Sequence, residues 1–210
     1  MFKSNLKIVS YYIMNIAICM WYDNNISCYA DKFKSINQKY CDKNNYNLIF
    51  NNKTYLIGKE PSYQKLPFVL EILNDYNYDY VMWIDADAHF NNYDKLDKFI
   101  CERDIIFSQD ISGGEDINCG VMIFKNTEYS KNFLNYWINN DIKNPYPYWW
   151  EQGILRVIYA GNIMNIKEHS HIVKYGLLQS FTKYDKNALI THLAGVPHNQ
   201  RLYYSNLINI

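Results

Sequence analysis

A chain of 210 residues with 49% hydrophobic content can bury one sizeable core, and its length points to a single domain over residues 1–210. Lys and Arg together number 21 and balance 21 Asp and Glu, which argues against a duplex nucleic-acid binder, since phosphate neutralisation calls for a basic excess. The 5 cysteines (Cys19, Cys28, Cys41, Cys101 and Cys119) form no Cys-x-x-Cys pair and are odd in number, so neither a zinc ribbon nor a disulfide framework is indicated, and a reducing compartment fits best.

The apolar stretch from Ile8 to Tyr22 is interrupted by Ser10 and Asn15 and falls short of the ~20 residues a bilayer span requires, so no membrane span is expected. Met20-Trp21-Tyr22-Asp23 does not supply a signal-peptide cleavage region. Lys7 to Met14 mixes Ile, Val and Tyr without helical period and reads as the first strand. From Asp31, Phe33, Ile36, Tyr40 and Cys41 fall at helical spacing, with Asn44-Asn45 at the exit, and Tyr46 to Phe50 reads as a second strand. Pro61-Ser62 opens a helix with the stripe Leu66, Val69, Leu70 and Leu73; Pro67 is tolerable there because it lies near the first turn. Lys65 stands beside that stripe.

The chain is organised around Tyr80-Val81-Met82-Trp83-Ile84, a run that reads as a strand buried on both faces and stops at two carboxylates, Asp85 and Asp87. In open α/β sheets ligands meet the carboxyl ends of strands, so this pair stands where a charged ligand binds. A hard divalent cation between the two would remove their mutual repulsion; the bland reading is an Asp-rich turn. Beyond it, Leu96, Phe99 and Ile100 suggest a short helix, Asp104 to Ser108 a strand ending at Gln109-Asp110, and Ile111 to Ile117 a loop with Gly113-Gly114. Val121 to Phe124 reads as a buried strand, and Asn126 as the cap of a helix whose Phe133, Leu134, Trp137 and Ile138 face the core. A polar and aromatic loop from Asn139 to Trp149 precedes a helix from about Trp150 to Ala160, and Ile163 to Ile166 and Ala188 to His192 look like short late strands. This alternation of strands and helices predicts an α/β fold.

Asp85-Ala86-Asp87, Asn118-Cys119-Gly120, Glu151-Gln152 and His192-Leu193-Ala194-Gly195, in that order, resemble the retaining glycosyltransferases of GT-A fold. The nearest likeness is to the galactosyltransferase family that includes fungal mannan-building and plant xyloglucan xylosyltransferases; glycogenin-like enzymes are more distant. Lys39-Tyr40 to Leu48 and Gln64-Lys65-Leu66-Pro67 support the resemblance, which runs from about Lys7 to His198. It implies a Rossmann-like mixed sheet flanked by helices, and transfer of a sugar from a nucleoside-diphosphate donor, UDP by family likeness, to a glycan or other hydroxyl acceptor.

By the same resemblance, Asp85, Asp87 and His192 match the ligands of a Mn²⁺ or Mg²⁺ ion that stabilises the leaving diphosphate. Gln152 matches the position beside the anomeric carbon, and Glu151 the acid that holds donor-sugar hydroxyls. Asn118 and Gly120 match the Asn-x-Gly that approaches the donor sugar, although a glycine there is also compatible with a bulge or tight turn. Asp110 is a further candidate for hydroxyl contact. Lys65 is read either as a partner of the diphosphate or as a solvated lysine, and the first strand's end at Ser10 and Tyr11 as a wall of the nucleotide pocket. The family lysine five or six residues beyond the metal histidine is absent; Pro197 and His198 stand there, with His198 or Arg201 as the substitute. The chain also lacks the N-terminal stalk of secretory-pathway relatives, which suggests the cytoplasm, or a lumen if an anchor has been trimmed.

Tyr146, Tyr148, Trp149 and Trp150 offer flat faces to sugar rings, with core packing expected to claim two of the four. Two alternatives stand beside the transferase. One is a sugar-nucleotide or glycan-binding module without turnover, favoured by the missing lysine. The other is a haloacid-dehalogenase-like phosphatase with Asp85 as nucleophile, disfavoured because the acidic strand comes late and Ala88-His89 follows it.

Overall fold

The computed structural model describes residues 14–181 and 187–208. The chain begins with strand β1 (Ile16–Trp21), helix α1 (Ser27–Asn44) and strand β2 (Asn47–Asn51), then a 3₁₀ turn at Pro61–Gln64 running into helix α2 (Lys65–Asp75). Strands β3 (Tyr80–Ile84), β4 (Ala88–Phe90), β5 (Ile105–Gln109) and β6 (Ile117–Lys125) follow, then helices α3 (Glu128–Asn139), α4 (Trp150–Ala160) and the single turn α5 (Ile166–His169). Strands β7 (Ser170–Val173), β8 (Gln179–Ser180) and β9 (Ile190–His192) and helix α6 (His198–Leu207) complete the fold.

The main sheet is mixed, in the order β2-β1-β3-β6-β5-β7. β1 pairs parallel with β2 and β3, whereas β6 is antiparallel to both β3 and β5. Every residue of β1 and β3 is buried because each face has its own core. Ile18, Met20, Met82 and Ile84 pack with Tyr29, Phe33 and Tyr40 of α1 on one side. Cys19, Trp83 and Val81 pack on the other with Leu66 of α2, Phe133 of α3 and Ile154 of α4. Full burial of such side chains stabilises by roughly 1.5–3 kcal/mol each, which is why these strands read as unbroken apolar runs. A smaller sheet, β4-β9-β8, lies beyond the end of β3.

Several expectations change. The first strand is Ile16–Trp21, two residues beyond the predicted Lys7 to Met14; of that prediction only Met14 is described, outside any strand, and Ser10 and Tyr11 lie outside the described residues. Its six positions are all apolar and all buried, the same signature that identified β3. Helix α1 starts at Ser27, so Asp31 is an interior residue accepting from Tyr22 Oη, while the exit is as expected, with Asn45 left-handed at φ 59°. The cap of α3 is Thr127, whose side chain accepts from Ser130 N; Asn126 instead donates to Tyr78 O. Ile163 to Ile166 is no strand: Asn162, Met164 and Asn165 all have positive φ, and the segment coils into a 3₁₀ turn leading into α5. β6 begins at Ile117 rather than Val121, and β4, β7 and β8 are additional.

Candidate active site

Asp85 and Asp87 follow β3 directly, and backbone pairing brings a remote segment to them. Ala88 of β4 faces His192 of β9 in register, and Leu193 N donates to Asp87 O at 3.0 Å. His192 Nε2 thereby lies 3.2 Å from Asp87 Oδ1 and 3.6 Å from Asp85 Oδ2. Ligand atoms of the three side chains fall within 4.8 Å of one another. Octahedral coordination with arms of about 2.1 Å sets neighbouring ligand atoms about 3 Å apart, so two carboxylates and an imidazole at this spacing fit a Mn²⁺- or Mg²⁺-sized ion.

Each of the three side chains is tied from behind. Asp85 Oδ1 accepts from Trp83 Nε1 at 2.6 Å and pairs with Lys65 Nζ at 2.9 Å. Asp87 Oδ2 pairs with Arg201 Nη2 at 3.0 Å. His192 Nδ1 is 3.3 Å from Gln179 Oε1; with Nδ1 as donor, the neutral ring turns its Nε2 lone pair toward the carboxylates. Gly120 carries no Cβ where one would lie 2.6 Å from His192 Nδ1 and 2.9 Å from Nε2. The glycine of Asn118-Cys119-Gly120 therefore makes room for the imidazole ring. It also falls at an irregularity of the β5–β6 ladder, where Phe107 pairs with Met122 but Ser108 pairs with Asn118.

A polar ladder leads away from His192. Gln179 Nε2 donates to Asn118 Oδ1 at 3.0 Å, Asn118 Nδ2 to Gln152 Oε1 at 3.2 Å, and Gln152 Nε2 to Asp110 Oδ2 at 3.4 Å. Cys119 N also donates to Gln152 Oε1, at 3.1 Å. Arg156, one turn along α4 from Gln152, reaches Asp110 at 3.5 Å and Asp116 at 2.6 Å. Asp85, Asp87, Asp110, Asn118, Gln152 and His192 line one open cavity of about 740 Å³.

Lys65 is 2% exposed and stands behind the cavity wall, which excludes the solvated reading. Its Nζ pairs with Glu151 Oε1 at 2.8 Å as well as with Asp85. Burial works against its charge, but Asp85 and Glu151 outweigh that and hold it well above the ordinary lysine value. Burial raises and Lys65 lowers Glu151, with a net shift downward. Asp87 is brought down to about 2 because His192 and Arg201 overcome burial, and the two Asp carboxylates raise His192 against the same penalty.

His198 is exposed, in edge-to-face contact with Tyr29 and 3.5 Å from Cys28 Sγ. Of the two candidates to replace the absent lysine, Arg201 is the one at the cavity. Tyr146, Tyr148, Trp149 and Trp150 are all exposed, so the expected core packing of two of them does not occur. Sequence reasoning missed Gln179, Arg156 and Asp116. The four-residue spacing from Gln152 to Arg156 was a usable signal; Gln179, in a two-residue strand, had none.

The mixed sheet flanked by helices is that of a GT-A-type fold, which solved structures share. A glycosyltransferase involved in glycosylation of the major capsid of PBCV-1 matches with TM-score 0.77 and 17% identity over 92% of this chain and all of that one. The glycosyltransferase GlyE of Streptococcus pneumoniae TIGR4 matches at TM-score 0.54 and 15% identity, over 93% of this chain but 61% of that one. The galactosyltransferase LgtC, solved with donor and acceptor sugar analogs, matches at TM-score 0.50 and 11% identity, over 92% of this chain and 96% of that one. At these identities the likeness is one of fold. No curated protein matches by sequence. Residues 37–187 match the family model described as "Protein of unknown function, DUF273", and the chain belongs to that family.

Proposed function

We propose that this protein is a metal-dependent glycosyltransferase that moves a sugar from a nucleoside-diphosphate donor, UDP by family resemblance, to a glycan or other hydroxyl acceptor with retention of configuration. The observation that carries the reading is the convergence of Asp85, Asp87 and His192 on one point of a cavity that also holds Gln152. A Mn²⁺ or Mg²⁺ ion held by those three side chains would supply Lewis-acid stabilisation of the departing diphosphate. Arg201, at the cavity and beside Asp87, is the cation that takes the absent lysine's place near the diphosphate.

In the reaction the bond from the anomeric carbon to the diphosphate oxygen breaks and its electron pair stays on that oxygen. A bond forms from the acceptor oxygen to the same carbon, and the acceptor's proton passes to the departing diphosphate. Gln152 Oε1 already accepts from Cys119 N and Asn118 Nδ2, which suits a fixed dipole beside positive charge better than a nucleophile. Asp110 and Asn118, which line the same cavity, are the groups assigned to the donor-sugar hydroxyls. Glu151, held by Lys65, fixes the first turn of α4 that presents Gln152. Donor hydrolysis measured with Mn²⁺ and after its removal by chelation tests this: loss of turnover without the ion is expected, and equal rates count decisively against it.

A further inference from the structure

The loop before α4 and the helix's first residue expose Tyr146 by 45%, Tyr148 by 86%, Trp149 by 45% and Trp150 by 47%. Four large aromatics left in water within five residues form a patch that calls for a ligand. The patch is built rather than loose. Asn144 Oδ1 accepts from Tyr146 N at 2.8 Å, and Asn144 Nδ2 donates to Trp150 O at 2.7 Å. That side chain sits against Gly153, where a Cβ would lie 2.8 Å from Asn144 Cγ. Trp150 has φ 39° and ψ −118°, a conformation costly for any residue but glycine and one that concentrates at functional sites.

Trp149 is anchored, stacked on Tyr146 with centroids 5.2 Å apart and carrying the Arg156 guanidinium 3.4 Å from its ring centre. Tyr148 and Trp150 also line the cavity, and among the described residues no other ring stacks on them. Flat aromatic faces bordered by a guanidinium and by the carboxylates of Asp110 and Asp116 suit a pyranose. Its C–H face can lie on a ring while planar side chains bind its equatorial hydroxyls. The border of Arg156, Asp110 and Asp116 offers donors and acceptors to several hydroxyls at once, which a sugar carries and a lipid chain does not.

We propose that Tyr148 and Trp150, with Trp149 as their anchor, are the acceptor subsite and that the acceptor is a saccharide, bound through a sugar ring on this platform. The acceptor role rests on the transferase reading. Arg156 and Asp110 join the platform to Gln152, while the metal cluster lies at the other end of the same polar ladder. The transferred sugar fits between the two ends, and the acceptor hydroxyl meets it from the platform.

The test titrates cellobiose, lactose and α-mannobiose against the intact protein by saturation-transfer NMR and tryptophan fluorescence. It uses wild type, Trp150→Ala, Tyr148→Ala and, as a control on a remote exposed ring, Tyr93→Ala, with thermal melts to establish folding. Calorimetry of UDP with Mn²⁺ runs on the same samples. At least one disaccharide is expected to bind wild type and the control, and to weaken tenfold or more in both platform variants; in transfer assays the loss falls on acceptor KM more than on donor KM. No disaccharide binding to wild type, or binding indifferent to both substitutions, overturns the proposal. So does a tenfold loss confined to UDP, which would assign the rings to the donor's base. Saccharide binding without Mn²⁺-dependent UDP binding would overturn the transferase reading and the acceptor role with it, leaving a saccharide site.

Discussion

Replacing Lys65 by methionine tests whether its buried charge holds the site together. The substitution keeps the length of the side chain and removes the ammonium that lies 2.9 Å from Asp85 Oδ1 and 2.8 Å from Glu151 Oε1. The two carboxylates are not equally exposed to the loss: the Asp85 side chain is 26% accessible and keeps its bond from Trp83, whereas that of Glu151 is 4% accessible. Stranding one buried partner costs about 3–5 kcal/mol, most of it here on Glu151. For a chain of 210 residues each kcal/mol moves Tm by about 2–4 °C, so a fall of about 6–20 °C at pH 7 is expected by calorimetry. Without Lys65, burial pushes Glu151 upward, so the variant takes up a proton and its deficit shrinks toward pH 5. Adding Glu151→Gln removes the stranded charge and should recover about half of the loss. The reasoning is refuted if Lys65→Met melts within 2 °C of wild type at pH 7, or if the double variant is no more stable than the single one.

Gly120→Ala places a methyl against the His192 ring, so Mn²⁺ affinity read by electron paramagnetic resonance should fall at least tenfold, with the secondary structure seen by circular dichroism retained. Gln179→Leu removes the partner of His192 Nδ1 and should weaken Mn²⁺ by about 10–100-fold; unchanged affinity would mean that Gln179 does not set the ring. Glu151 sits below its ordinary value of 4.5, so its stabilisation is complete above about that pH and is lost as pH falls through the lowered value. Urea denaturation from pH 7 to 3 should show that loss in wild type, and Glu151→Gln should flatten it.

The parts of the fold legible in the sequence are those where burial on both faces, or helical period, leaves a long record. Tyr80–Ile84 announced itself because two cores press on it, and the stripes of α2 and α3 were read because one face of each helix packs on a single core at helical period. The first strand was displaced because the apolar run continues past Met14 and nothing in the residues themselves marks where pairing begins; β1 starts where Ile16 and Tyr80 come into register. β4 and β8, of three and two residues, exist because β9 pairs with both: no window of sequence records β4's partner a hundred residues away, and two residues are too few to leave an alternation for β8.

That difference governs the site as well. Asp85 and Asp87 were readable from the strand that delivers them, whereas His192 was readable only through its resemblance to a family pattern, since its position depends on the β4–β9 register. The contacts that fix the geometry are the least legible of all. Lys65 was readable as a candidate beside the α2 stripe, but its pairing with Glu151 was not, and Gln179 carries no mark of its place behind an imidazole. The residues proposed to carry chemistry sit at the ends of elements and leave a motif. Those that aim them act across the fold, through single contacts that only tertiary structure creates. Gly120 joins the two kinds: the sequence marks it as a glycine in a motif, and the packing of His192 supplies the reason that no side chain fits there.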